Sequence, residues 1–244
     1  VARVPKFLAD YSERRGFPAR VTGREELSPS LFRITFQVPA LRDRAHGPCD
    51  ATAFRVAHND FRHYTAERVE SGSGTATVLF HRHPHEDAPG LRLVRELSSG
   101  DEVTWCGFGS GRTFRWPDPA PAAALAMGDT TTLGLLVNLT ERAEQDGTRF
   151  LAVAEVEDDC VAATRELLPD AVVLTADERP GAAAAHWLVT EAAELLPDLA
   201  PRLVLLAGHG ESVQRQRTLL REHHGLDRRL VRTQPYWATG RTGL

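Results

Sequence analysis

Apolar and polar positions alternate through the first half of the chain. In "FPARVTGREELSPSLFRITFQV" two alternating runs, residues 19–22 and 31–38, flank the turn-rich "LSPS". "TATVLFH", residues 75–81, alternates again after the Gly/Ser turn "ESGSG". "DEVTWCGFG", residues 101–109, begins a further strand after "SSGD". Between these, "GLRLVRELSSG" places apolar residues at Leu91, Val94 and Leu97, a helical spacing that stops at Gly100. Several short strands with one helix predict a small antiparallel β-barrel.

The period changes after "RWPDPAPAA", residues 115–123, a Pro-rich joint. "AAALAMGD" reads as a buried strand and "TTTLGLLVNLTERAEQDG" as a helix closed by Gly147. "TRFLAVAEV", "DAVVLTA" and "RLVLLAGHG" read as strands. "DCVAATRELLP", "AAHWLVTEAAELLP" and "ESVQRQRTLLREHHG" read as helices between and after them. Strands alternating with helices predict a doubly wound, largely parallel sheet. The expected organisation is a barrel over residues 1–117 and an α/β domain over residues 118–244.

Composition narrows the classes. A chain of 244 residues is long enough for two domains with cores of their own. A net charge of −4 gives no basic field for nucleic acid. Cys49, Cys106 and Cys160 are too scattered for a disulfide framework or a thiolate cluster. No apolar run reaches the roughly 18 residues that span a bilayer. "VARVPKFLADYSERRG" lacks the apolar core of a signal peptide, so the expectation is a cytoplasmic protein without membrane partners.

Open α/β sheets bind ligands beyond the carboxyl ends of their strands. "MGDTTT" and "AGHGES" occupy two such ends, with small and polar residues where free N–H groups suit an anion. The plainer reading is that Gly128 and Gly208 make turns while Thr130 and Ser212 cap helices. "HRHPHED" carries His81, His83 and His85 at alternate positions, which a straight strand would bring to one face as metal ligands. Pro84 interrupts that ladder, and solvated histidines on a hairpin explain the pattern better. His58 and His63 read as surface residues, Trp187 as core, and Asp158 or Asp159 as a helix N-cap.

The order of segments carries more than any one of them. "RHYT", "LFH", "APGL", "AMGDTTTL", "LLAGHGES", "LLREHHGLDRR" and "PYW" follow one another as in the siderophore-interacting family of flavoproteins, which this chain resembles over nearly its whole length. The resemblance implies a barrel that binds FAD, an α/β domain that binds NAD(P)H, and reduction of a ferric chelate. Arg62, Tyr64 and Thr65 match the family's Arg-x-Tyr-Thr motif. It implies an arginine fork on the diphosphate, a tyrosine against the isoalloxazine and a hydroxyl at the ring edge. His81 matches a histidine that ends a barrel strand, and Ala88, Pro89, Gly90 and Leu91 stand at the family's small-residue phosphate turn. Asp129, Thr130 and Trp237 fall at the nicotinamide mouth.

The chain departs from the family pattern at these same mouths. Glu67 replaces a basic residue, and a carboxylate beside a diphosphate must turn away or find a cation such as Arg68. Thr130 replaces a glutamate, Gly134 a proline and His209 a glutamate, while Ala238 and Thr239 stand in place of two arginines. Glu67 and His209 are the candidate catalytic groups. Three functions remain open: an FAD-dependent NAD(P)H oxidoreductase, an enzyme of small-molecule biosynthesis that has given up nicotinamide and perhaps flavin, and a non-catalytic binder of flavin or chelate.

Overall fold

The computed structural model describes residues 10–11, 13–57, 60–82, 89–109 and 113–240. Strands β1 (Phe17–Ser28), β2 (Leu31–Gln37), β3 (Ala51–Ala57), β4 (Asp60–Glu70), β5 (Thr75–His81) and β6 (Glu102–Gly109) close into a barrel ordered β1-β2-β5-β4-β3-β6. All its pairings are antiparallel, and β1 closes the ring against β6. Alternation sends Ile34, Phe36, Phe54, Val78, Phe80 and Trp105 inward. Phe36 and Phe54 stack with centroids 5.3 Å apart, and Trp105 meets both edge-on. Helix α1 (Pro89–Glu96) packs Val94 against this core.

Strands β7 (Ala123–Asp129), β8 (Arg149–Val156), β9 (Val172–Thr175), β10 (Leu203–His209) and β11 (Val231–Trp237) form a parallel sheet ordered β11-β10-β7-β8-β9. Successive side chains of one strand serve opposite faces. Ala124 and Ala126 pack with Leu135, Leu136 and Leu139 of α2 (Leu133–Asp146) and Ala163 of α3 (Val161–Leu167). Leu125 and Met127 pack instead with Trp187 and Leu188 of α4 (Ala182–Val189), Leu196 of α5 (Ala192–Leu199) and Val213 of α6 (Gly210–Glu222). The sheet is therefore wound on both faces, as its strand–helix alternation predicts.

Three elements differ from the sequence reading. β3 and β11 fall where no strand is expected. The run "AAHWLVTEAAELLP" breaks into α4 and α5, because Thr190 leaves helical geometry at φ −114°, ψ −87° and its hydroxyl bonds the His186 carbonyl. Asp158 and Asp159 supply no side-chain cap. The buried Glu155 instead accepts from the Gly181 and Ala184 amides at the start of α4, at 2.6 and 2.7 Å.

The two units pack directly on each other. Asn138 of α2 donates to the Ala66 carbonyl at 3.0 Å, and a Cβ on Gly134 would lie 2.7 Å from the Thr65 carbonyl oxygen. Leu31 and Leu79, on the barrel's outer wall, join the core beneath α2.

Candidate functional site

Strand β4 divides its side chains between two environments. Tyr64 turns toward the barrel core, with its ring 4.6 Å from Phe80 and 5.8 Å from Phe54. Burial pushes its phenol up to about 12, so it stays protonated at neutral pH. Arg62 lies on the same face. Its guanidinium donates to the Phe61 carbonyl at 3.0 Å and stands 3.9 Å from Asp60. α1 begins directly over both residues. A Cβ on Gly90 would meet the Tyr64 hydroxyl at 3.0 Å and Arg62 Cγ at 3.5 Å. Ala88 lies outside the described residues, and only the backbone of Pro89 and Leu91 is described, as the first turns of α1.

Thr65 and Glu67 face the other way, toward the seam with the α/β sheet. The Thr65 hydroxyl shares a 2.6 Å hydrogen bond with the Tyr236 hydroxyl of β11. Burial drives the Tyr236 phenol upward as well. Glu67 is 6% exposed and takes a two-pronged ion pair from Arg33 of β2, at 2.8 and 2.6 Å. The expected partner, Arg68, pairs with Glu141 of α2 instead. The correction follows from which cation is nearer: Arg33 of β2 takes both Glu67 oxygens, while the β4 register shifts between Ala66 and Arg68 and Arg68 is drawn to Glu141. Glu67 is thus a held carboxylate rather than a free base.

The second cluster sits where the sheet order reverses, between β7 and β10. Asp129 ends β7 and is fully engaged. Oδ1 accepts from the Thr131 amide at 3.0 Å and the Thr131 hydroxyl at 2.5 Å. Oδ2 accepts from the His209 amide at 2.7 Å and the Trp237 indole at 2.9 Å. Burial raises its pKa, and those four donors pull the other way. Gly208 makes the approach possible: its φ is 110°, and a Cβ there would lie 2.3 Å from Asp129 Oδ2. Thr130 caps nothing; its hydroxyl donates to Glu157.

His209, at the end of β10, is 3% exposed. The Thr239 amide donates to its Nε2 at 3.3 Å, which leaves Nδ1 to carry the proton toward Ser212 Oγ at 3.1 Å. Its ring lies 4.6 Å from the Trp237 ring. Both nitrogens are spoken for, so His209 fastens the chain after β11 to the switch point. Ser212 accordingly serves His209 rather than capping α6.

The third group gathers the ends of β5 and β8. The His81 side chain is 3% exposed, with Nε2 3.4 Å from Glu157 Oε2, and burial lowers its pKa. His83, His85 and His58 lie outside the described residues. His63 is exposed.

These residues meet FAD's demands unevenly. Arg62, Tyr64 and the glycine that opens α1 converge, and their backbone and guanidinium donors fit a diphosphate. At the ring edge, Thr65 already has a partner in Tyr236. The donor set at the nicotinamide mouth fits less well: Ala238 and Thr239 bring no charge, and Asp129 and His209 are committed to each other's strands.

Residues 121–240 match the family model described as siderophore-interacting protein. No curated protein matches the sequence. Solved structures match over both units. A siderophore-interacting protein of Acinetobacter baumannii is 16% identical with a TM-score of 0.70, covering 93% of this chain and 92% of that one. A siderophore utilization protein from T. fusca is 18% identical with a TM-score of 0.69, covering 94% and 95%. Ferredoxin-NADP+ reductase of Plasmodium falciparum is 12% identical with a TM-score of 0.71, covering 91% and 97%. At these identities the likeness establishes the fold: a closed barrel joined to a parallel sheet, as in ferredoxin reductases.

Proposed function

We propose that this chain is a member of the siderophore-interacting family that binds FAD across β4 and the start of α1 and acts as an oxidoreductase on a ferric chelate or similar small acceptor. The convergence of Arg62, Tyr64 and Gly90 supports this reading best. In it, Arg62 leaves the Phe61 carbonyl to hold the diphosphate. Tyr64 supplies the wall between cofactor and barrel core. Thr65 faces the ring once the Tyr236 hydroxyl gives up their shared bond. FAD, when bound, supplies the electron transfer; the protein supplies position and exclusion of water.

Anaerobic absorbance spectra test the reading. FAD added to the purified chain should give a bound-flavin spectrum, and reduction followed by a ferric chelate should reoxidise it. Arg62→Ala should weaken FAD by about 2–3 kcal/mol, the usual size of a hydrogen bond to a charged group. Unchanged affinity in that variant removes the role given to Arg62.

A second reading is favoured by one observation. Thr65, Glu67 and His209 each close on an internal partner, as they would in a scaffold reused for cyclisation or rearrangement of an organic substrate. A chain that takes up no flavin in the same titration supports this second reading.

A further inference from the structure

We propose that His81, Glu157 and Cys160 form a binding site for a divalent cation of borderline softness, zinc being the best match, at the seam between the barrel and the α/β sheet. Nothing in the flavin reading requires this site. One ligand atom from each residue lies within 4.8 Å of the other two. His81 ends β5 of the barrel, while Glu157 and Cys160 follow β8 of the sheet, so an ion here would tie the two units together.

The distances argue for a small ion. Ligands about 2.0–2.1 Å from a tetrahedral zinc stand roughly 3.3–3.4 Å apart along an edge. His81 Nε2 and Glu157 Oε2 are 3.4 Å apart. A thiolate, an imidazole and a carboxylate are the donors zinc takes, whereas calcium and magnesium prefer oxygen alone. Only three protein donors are present in the group, which leaves a fourth position for water or a ligand.

The surroundings resemble the outer support of a metal site. Thr130 donates to Glu157 Oε2, and Ser30 Oγ donates to Asp159 Oδ2 at 2.6 Å. The Ser28 hydroxyl lies 3.5 Å from Cys160 Sγ, where it can donate to a thiolate. Cys160 is fully buried and the His81 side chain nearly so, yet the Glu157 side chain is 47% exposed. The ion therefore has an entry from solvent on one side and a dry seat on the other.

Cobalt(II), a spectroscopic stand-in for zinc, tests the site without flavin. Titrated anaerobically into the reduced full chain, one equivalent should produce a thiolate-to-cobalt charge-transfer band with tetrahedral d–d bands. One equivalent of zinc should abolish them. Cys160→Ser keeps the size of the side chain beside two hydroxyls and should remove the charge-transfer band. Cys49→Ser and Cys106→Ser should retain it. His81→Ala should weaken zinc by about 100-fold or more, and Thr130→Val, one shell out, by about 10-fold. Zinc should raise the melting temperature of the wild type and not that of Cys160→Ser. A wild type with no charge-transfer band overturns the proposal, whatever the variants do. So does a band that survives in Cys160→Ser or disappears in Cys49→Ser. His81 and Glu157 then form only a hydrogen-bonded pair.

Discussion

Two carboxylates, the buried Glu67 and the half-buried Asp129, illustrate how a side chain's partners decide its role. Glu67 shares both oxygens with Arg33, which is itself about one-quarter exposed and also pairs with Glu25. Removing one partner of a fully buried pair costs about 3–5 kcal/mol. Arg33's exposure and second partner soften that here. Glu67→Gln should therefore cost about 1–3 kcal/mol in urea unfolding, while Arg33→Met combined with Glu67→Leu should cost less than the single change. A single variant as stable as wild type would show that the pair is not what holds β4 to β2. Asp129 is tied to pH. Its pKa is raised by burial, so the folded chain binds this proton more readily than the unfolded chain. Its contribution is fully present below the ordinary aspartate pKa and is lost as pH rises through the raised folded value. Asp129→Asn should remove that decline from the pH profile of unfolding free energy. It should also destabilise at neutral pH by about 1–3 kcal/mol, because an amide NH2 must face two of the four donors now aimed at the carboxylate. An Asn variant with the wild-type pH profile would sink this account.

At the scale of elements, Gly134 sets two effects of known size against each other. It lies in the first turn of α2, where alanine should gain about 1 kcal/mol of helix propensity. A Cβ there would come 2.7 Å from the Thr65 carbonyl oxygen, a backbone atom of β4 that cannot swing aside. Overpacking of this kind costs about 1–3 kcal/mol, so Gly134→Ala should lower the melting temperature despite the better helix former. A rise would mean that α2 rides freely on β4. The same contact explains what the sequence could and could not reveal. Period-two alternation at 31–38 and 75–81, and the helix stop at Gly147, are local signals, and the elements form where they predict. β11 has no such alternation. Its residues are half-buried for most of its length, because it lies at the sheet edge and turns Tyr236 across the seam to Thr65. β3 is similarly unmarked, and its pairing with β4 is fixed by barrel closure rather than by its own pattern. The candidate site was legible as positions but not as partners. "RHYT" and "GDTTT" stand out by spacing, whereas Arg33 on Glu67, Tyr236 on Thr65 and Glu155 under α4 join residues far apart in the chain. Nothing local marks those pairs.

Across the whole molecule, the switch point between β7 and β10 is where a doubly wound sheet offers its ligand crevice. Here that crevice is crossed by a latch. Asp129 bonds the His209 amide and the Trp237 indole, and His209 in turn bonds Thr239, so three strand ends are fastened together. A nicotinamide nucleotide brought to this edge would meet Ala238 and Thr239, which offer no positive charge to its phosphates. If the chain binds FAD as proposed, the flavin should be reducible by dithionite but poorly by NADPH, far below an ordinary turnover of about 10 per second. Restoring charge by Ala238→Arg with Thr239→Arg should speed reduction by NADPH, and more so than by NADH, because only NADPH carries the extra phosphate. The Thr239 change also removes the hydroxyl beside His209 Nε2, so the latch loosens as the charge is added. Stopped-flow absorbance at the flavin band separates the outcomes. Reduction of the wild type by NADPH at about 10 per second would show that the latch does not close the crevice. An arginine pair that changes nothing, with dithionite reduction intact, would show that charge at these two positions does not set nicotinamide use.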